Sequence, residues 1–231
     1  MAKRGGRRHL KRLAASKHVP IKSKKKYTFI AKPLPGPHTG DRSISLVSLL
    51  RDVIGVTTNA RETSFILSKG AVKVDGKERR DKRFPVGLMD TIAIEGDKVY
   101  RVAIGSDGKL SPVEAAKGTE NEKPLKIKRK KSISKDEFQL TFHDGTTMVV
   151  KDKAYKLGDV LLVSLDKREV VKHIPLTEGA NCLVIEGKHA GLKARLKEQK
   201  IKGTSKEAVL ESDGKEVITK SSYLFALPEG W

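Results

Sequence analysis

The chain has 231 residues, with 48 Lys or Arg against 28 Asp or Glu, a formal charge of +20. That excess points to a polyanionic partner, nucleic acid first. The apolar runs are too short to span a bilayer, and the basic N-terminus lacks the apolar centre of a secretory signal, so neither a membrane nor an export role is expected. Cys182 is the sole cysteine and excludes an intramolecular disulfide, in keeping with a reducing cytosol. Aromatic residues make up 5%, which favours several small domains over one large core.

Residues 1–42 carry thirteen Lys or Arg and one acid, Asp41, so twelve of the twenty net charges sit in less than a fifth of the length. Leu10, Leu13, Val19 and Ile21 bury too little area to offset backbone ordering, and Pro33, Pro35 and Pro37 interrupt regular structure. An extended segment ordered by its partner is expected, disordered when free. From Ser43, Leu46, Val47, Leu50, Val53 and Ile54 recur at helical spacing and Gly55 follows as a stop. A second helix is predicted after Asn59, with Glu62 in capping-box position, Ile66 and Leu67 on the apolar face and Gly70 at the end.

Val72 and Val74 alternate up to Asp75-Gly76, a pair suited to a tight hairpin because both positions tolerate positive φ. A basic stretch returns through Arg83. Ile92 with Ile94, then Val99, Val102 and Ile104, read as further strands, and this α-α-β unit ends near Gly105. Beyond it the signals are almost wholly β. Phe138, Leu140 and Phe142, the Asp144-Gly145 turn and Met148 to Val150 form a hairpin pattern. Val160 to Val163 and Val170 to Ile174 flank Asp166-Lys167 and extend it into a small barrel or curled sheet. After Pro175 come a strand from Cys182 to Ile185, a loop from Gly187 to Gly191, and a hairpin signal at Asp213-Gly214 between Val209 and Val217.

The fold class predicted is therefore α+β, multidomain and β-rich. Its divisions are a basic extension over 1–42, an α-α-β unit over 43–105, a central β domain over 106–174 and a last segment over 175–231.

Clusters of Arg and Lys meet phosphate oxygens rather than base edges. Arg4, Arg7, Arg8, Lys11, Arg12, Lys22, Lys24, Lys25 and Lys26 form the arm's cluster. Arg79, Arg80, Lys82 and Arg83 follow the hairpin turn, where an ordinary solvated strand edge is the competing reading. Seven basic residues and no acid lie between Lys123 and Lys135. Of these Lys128, Arg129, Lys130 and Lys131 are candidate contacts, and a connector is the competing reading. Lys188, beside His189, tips the Gly187–Gly191 loop. Lys193, Arg195, Lys197, Lys200 and Lys202 follow it, interleaved with Glu198. Tyr27 and Phe29 could stack on unpaired bases or anchor the arm by packing. The six histidines are dispersed, and neither a phosphate-cradling Gly loop, zinc spacing nor a nucleophile elbow is found, so no enzyme, metal, cofactor or small-molecule substrate is expected.

Ala71-Val72-Lys73-Val74-Asp75-Gly76-Lys77 after a short helix resembles the core of an S4-type RNA-binding domain, although Ala60 stands where that class usually has Arg early in the second helix. Gly179, Leu183-Val184-Ile185, Gly187 and Gly191 resemble a KOW motif in an SH3-like barrel, with Ala194 where another Gly is common. In that order, and with Arg8-His9-Leu10-Lys11-Arg12-Leu13-Ala14-Ala15, Lys17-His18, Gly36-Pro37-His38, Pro85-Val86-Gly87-Leu88-Met89-Asp90 and Leu227-Pro228, the chain resembles the ribosomal protein S-four-e family. The ending at Trp231, without the longer eukaryotic tail, is closer to the archaeal form. The resemblance implies a non-catalytic constituent of the small ribosomal subunit in the cytoplasm, monomeric when free, bound to small-subunit rRNA and neighbouring ribosomal proteins. Alternatives are a free-standing RNA-binding regulator, a KOW-bearing transcription factor, or an accessory of an RNA-modifying enzyme, since S4-type domains also occur fused to pseudouridine synthases.

Overall fold

The computed structural model describes residues 9–21, 23–25, 27–96, 98–115, 118–202, 205–212 and 214–228. It is β-rich with few helices and several sheets. Two compact units divide the chain, one of residues 1–103 with 109–115 and one of 104–108 with 116–231.

In the first unit, the first predicted helix begins as one α turn, Leu46–Ser48, and runs on as a π-helical segment, Leu49–Ile54. Gly55 ends it in the left-handed region at φ 87°, where a side chain would be strained. The second helix is Ala60–Ser68. Its capping box forms as expected, with Glu62 Oε2 accepting the Thr58 N–H at 2.8 Å and the Asn59 N–H at 3.4 Å. The Thr58 N–H and hydroxyl, followed by the Asn59 N–H, hold the Glu62 pKa below the usual carboxylate range.

The hairpin of Val72–Val74 and Lys77–Glu78 turns through Asp75 at φ 51° and Gly76 at φ 73°. It opens a five-stranded antiparallel sheet ordered Lys77–Glu78, Val72–Val74, Thr91–Ile94, Val99–Ile104, Leu110–Glu114. Val72, Val74, Ile92 and Val102 of the sheet are buried, as are Leu46, Leu49, Leu50 and Leu67 of the helices, each worth about 1.5–3 kcal/mol when fully buried.

Two sequence motifs far apart in the chain meet in this unit. His38 and Asp90 are buried with Nε2 and Oδ1 3.0 Å apart, and Asp90 Oδ2 accepts the Gly87 N–H at 2.8 Å. A β-carbon at Gly87 would collide with the His38 ring. The segment ending in His38 is thus fastened to the turn before Thr91–Ile94.

The second unit contains two five-stranded antiparallel sheets. The first is ordered Thr147–Val150, Phe138–Phe142, Glu122–Ser132, Val160–Ser164, Val170–Ile174. The second is ordered Lys215–Lys220, Ser205–Ser212, Lys193–Lys202, Asn181–Val184, Leu224–Ala226. The hairpins read at Asp144-Gly145 and near Asp213-Gly214 are present, although Asp213 lies outside the described residues. Among the strands not read from sequence are Leu110–Glu114 in the first unit and Leu224–Ala226, Glu122–Ser132 and Lys193–Lys202 in the second. The last two alternate charged residues with apolar ones too irregularly for a period of two to stand out, and both carry a bulge, at Ile127/Arg129 and at Leu196/Glu198.

Leu125, Ile127, Leu140, Phe142, Leu161 and Val163 form one core of this unit, and Cys182, Val184, Ala194, Leu196, Ala208, Leu210 and Leu224 form another. The Lys126 ammonium donates to the Ser222 and Leu224 carbonyls, each at 2.6 Å, and His143 meets the Phe225 ring edge-on. The loop around Gly191 lies so close to Gly105 that a β-carbon there would overlap the Gly105 carbonyl.

Candidate nucleic-acid interface

Arg4, Arg7, Arg8, Lys22 and Lys26 lie outside the described residues. In the rest of the arm, Leu10–Lys11 pairs antiparallel with Phe29–Ile30, and Ala15 and Val19 are buried. The His18 carbonyl accepts the Leu110 N–H at 2.8 Å. Lys11, Lys24 and Lys25 are exposed. Arg12 is not: it is buried, its Nη1 donates to the Ser23 carbonyl at 2.9 Å, and its guanidinium stands 5.2 Å from the Tyr27 ring centre. Tyr27 and Phe29 are themselves exposed, the latter tilted against the His9 ring.

The returning hairpin strand ends at Glu78, so Arg79, Arg80, Lys82 and Arg83 occupy a loop rather than the strand edge the sequence suggested. The physical reason lies at the far end of the loop. Pro85–Val86 leaves to pair with Ile44–Ser45, drawing the chain away from the hairpin. The loop's backbone is held by its own carbonyls, with Lys82 accepting the Val47 N–H and Arg83 the Leu34 N–H, both at 2.9 Å. Arg79 is half-buried with its guanidinium 4.3 Å from the Phe84 ring centre. Arg80 approaches Glu78 at 3.7 Å, and Arg80, Lys82 and Arg83 are exposed.

The basic run from Lys123 is not a connector but the long central strand Glu122–Ser132, and its lysines divide by face. Lys123 and Lys126 are both buried although they stand on opposite faces of the strand, Lys123 on the face of Leu125 and Lys126 toward the Ser222 and Leu224 carbonyls. Lys123 Nζ stands 3.2 Å from Asp144 Oδ2, the Asp144 side chain being just 3% exposed. Burial pushes the Asp144 pKa up, but the Lys123 charge and then the Thr146 hydroxyl outweigh it, and the carboxyl ends below its ordinary value. Lys130 lies opposite Leu140, which is fully buried, so it emerges on the core face. Its ammonium lies 4.5 Å from the Phe138 ring centre and donates to the Lys153 and Tyr155 carbonyls, both at 2.9 Å. Arg129 and Lys131, opposite Thr141 and Gln139, emerge on the other face and are exposed, as is Lys128 at the bulge. Lys188 is exposed at the tip of its loop.

Sequence reasoning missed two features. Phe65, mid-helix, is exposed with the Lys69 ammonium 4.4 Å from its ring centre. Arg51 and Asp52, on the π-helical segment, form a bidentate pair, Nε to Oδ1 and Nη2 to Oδ2 both at 2.8 Å, and the Asp52 bond raises the Arg51 pKa. The spacing of Phe65 and Lys69 was a usable signal, whereas adjacent residues do not ordinarily face each other on a helix. Cys182 is fully buried, and burial pushes its pKa up to about 11, which leaves it protonated at neutral pH. No cluster of His, Cys, Asp and Glu suited to a metal occurs among the described residues.

Comparison with known proteins agrees along the length of the chain. A family model described as Ribosomal family S4e matches residues 96–170, and one described as RS4NT (NUC023) domain matches residues 4–41. A small ribosomal subunit protein eS4 from Methanocaldococcus jannaschii is 37% identical, covering 98% of this chain and 96% of that one. The protein of the same description from Methanocella arvoryzae is 38% identical over 95% of this chain and 93% of its own. The crystal structure of the 30S ribosomal protein S4e from Thermoplasma acidophilum superposes with a TM-score of 0.74 at 32% identity, covering 82% of this chain and 97% of that one. With such identity sustained over nearly the whole length, the chain belongs to the ribosomal protein family S4e.

Proposed function

We infer that this chain is a structural constituent of the small ribosomal subunit, bound to small-subunit rRNA through basic surfaces and assembled beside neighbouring ribosomal proteins in the cytoplasm. Family membership with near full-length coverage carries this reading. The net charge of +20 supplies the physical reason: each neutralised phosphate releases counterions and favours association.

In finer detail, the two helices with the Asp75-Gly76 hairpin act as an S4-type RNA-binding module. The sheet holding the Gly187–Gly191 loop acts as a KOW-type SH3-like barrel. The contact residues proposed are those whose charges face outward: Lys11, Lys24, Lys25, Arg80, Lys82, Arg83, Lys128, Arg129, Lys131 and Lys188. Arg4, Arg7, Arg8, Lys22 and Lys26 join them on charge alone. In this reading Arg79 and Lys130 brace the protein beneath these surfaces.

The test is co-sedimentation of the tagged chain with ribosomal subunits in high salt. Retention on the small subunit is expected. A chain found only in the post-ribosomal supernatant, or on the large subunit, would sink this reading.

A further inference from the structure

Within the first unit a cleft of about 240 Å³ opens between the arm and the π-helical segment. Val19, Ile21, Ile30 and Ile44 contribute apolar walls, and Arg12, Tyr27, Arg51 and Asp52 contribute ring and polar groups. We propose that this cleft receives the base of one unstacked RNA nucleotide, a site that deepens, and rests on, the rRNA-binding function inferred above.

Four observations converge on a base. The cleft is smaller than the roughly 300–1,000 Å³ of pockets that enclose drug-sized ligands, so it suits one ring system rather than an extended molecule. Tyr27 lines it, 60% exposed, with the Arg12 guanidinium 5.2 Å from its ring centre, and an exposed ring backed by a cation is a stacking platform for bases. Arg12 is just 7% exposed, yet its Nε has no acceptor among the described residues. A buried guanidinium donor left so is costly unless another acceptor arrives, and a base edge or phosphate supplies one. Across the cleft the Arg51–Asp52 pair offers guanidinium donors and carboxylate lone pairs together, the mixture a base edge needs. That pair sits on a π-helical segment, a geometry that recurs at functional sites.

Charge around the cleft fits the same occupant. Lys24 and Lys25 are exposed between Ser23 and Tyr27, two of the residues that line it, and stand ready for the phosphates that flank an inserted base. Stacking and phosphate contact leave separable signatures. Losing the ring weakens binding at every salt concentration, whereas losing a lysine changes the salt slope.

The experiment uses the full chain and transcribed small-subunit rRNA, comparing the parent with Tyr27→Ala and Tyr27→Phe across a salt series. A second arm cross-links 4-thiouridine-substituted rRNA and maps the modified peptides. Tyr27→Ala should weaken affinity about tenfold with an unchanged salt slope, and Tyr27→Phe should match the parent because the ring remains. Cross-links should fall in the peptides carrying Tyr27. If the parent binds rRNA tightly but Tyr27→Ala binds equally well and no cross-link maps to residues 9–30, the base site is overturned while the ribosomal role stands. If the parent itself shows no salt-dependent rRNA binding, the ribosomal reading fails and takes the site with it. Should Tyr27→Ala melt well below the parent, the cross-link map decides alone.

Discussion

Lys123 and Asp144 show how far a single pair can depart from what residue type suggests. An ammonium and a carboxylate, both nearly solvent-free, face each other across the central sheet at 3.2 Å. Removing Lys123 leaves the buried Asp144 carboxylate to the Thr146 N–H and hydroxyl, without its opposite charge, and breaking a buried pair in this way costs about 3–5 kcal/mol. Lys123→Met is therefore expected to melt far below the parent at neutral pH. The acid limb adds a second readout. Asp144 has a depressed pKa in the folded chain, so the stability it contributes is present above the unfolded carboxylate value of about 3.9 and is lost as pH falls through the lower folded value. In Lys123→Met the remaining carboxyl has lost its largest favourable charge, its pKa rises, and part of the lost stability returns when acid neutralises it. Thermal melts of parent and variant between neutral pH and pH 3 check this. A variant whose deficit stays constant with pH would show that the pair's electrostatics do not govern the cost.

Elements sort the basic residues into braces and contacts. On Glu122–Ser132, cross-strand register puts Lys130 on the face of Leu140 while Arg129 and Lys131 share the face of Thr141 and Gln139. Lys130→Ala should lower stability by about 1 kcal/mol, the loss of two partly screened charge-assisted bonds, and leave the salt dependence of rRNA binding intact. The double variant Arg129→Ala, Lys131→Ala should do the reverse, melting like the parent but flattening the salt slope by roughly one unit per lost phosphate contact. Finding the slope change in Lys130→Ala instead would mean that the outward face of this strand is not the one that meets RNA. The loop after the hairpin supports a parallel expectation. Its backbone is fixed by the Val47 and Leu34 amides and the Asp81 carboxylate rather than by its basic side chains, so Arg80→Ala, Lys82→Ala and Arg83→Ala together should weaken rRNA binding with a melting temperature close to the parent's. Unchanged affinity and slope in that triple variant would reduce the cluster to a charged surface.

At the scale of the whole chain, twelve of the twenty net charges fall in residues 1–42 and the rest are dispersed along the sequence. If about 6–10 phosphates are engaged, rRNA affinity should fall by about 10³–10⁵ between roughly 50 and 200 mM salt, on the scale known for duplex DNA. Filter binding across that range is the measurement, and a flat response would point to a partner other than nucleic acid. The arm adds a prediction of order. Ala15 and Val19 are its buried apolar side chains among the described residues, so amides of residues 9–42 should exchange in the free chain long before those of Val72–Val74. Protection equal to that strand's, without RNA, would overturn partner-dependent ordering of the arm.

What the sequence determined by itself was local. The Asp75-Gly76 turn, the Asn59 and Glu62 cap, the stop at Gly55 and the strands at Val160 and Val170 follow from φ preference, capping chemistry and a period of two, all of which act within a few residues. Family membership was legible too, because motifs from Arg8 to Pro228 occur in a fixed order. The tertiary structure alone decided which cations face inward. Lysine and arginine read as solvent-facing wherever they stand, yet Lys123 is paired with Asp144, Lys126 is hydrogen-bonded by carbonyls nearly a hundred residues away, and Arg12 is covered by its own arm. The cost of burying a charge depends on whether a partner waits at the site, and that partner is supplied by folding rather than by neighbours in sequence. For the same reason the run from Lys123 read as a uniform set of candidate phosphate contacts with a connector as the competing reading, and the cleft between Tyr27 and Asp52 left no mark on any single stretch of chain.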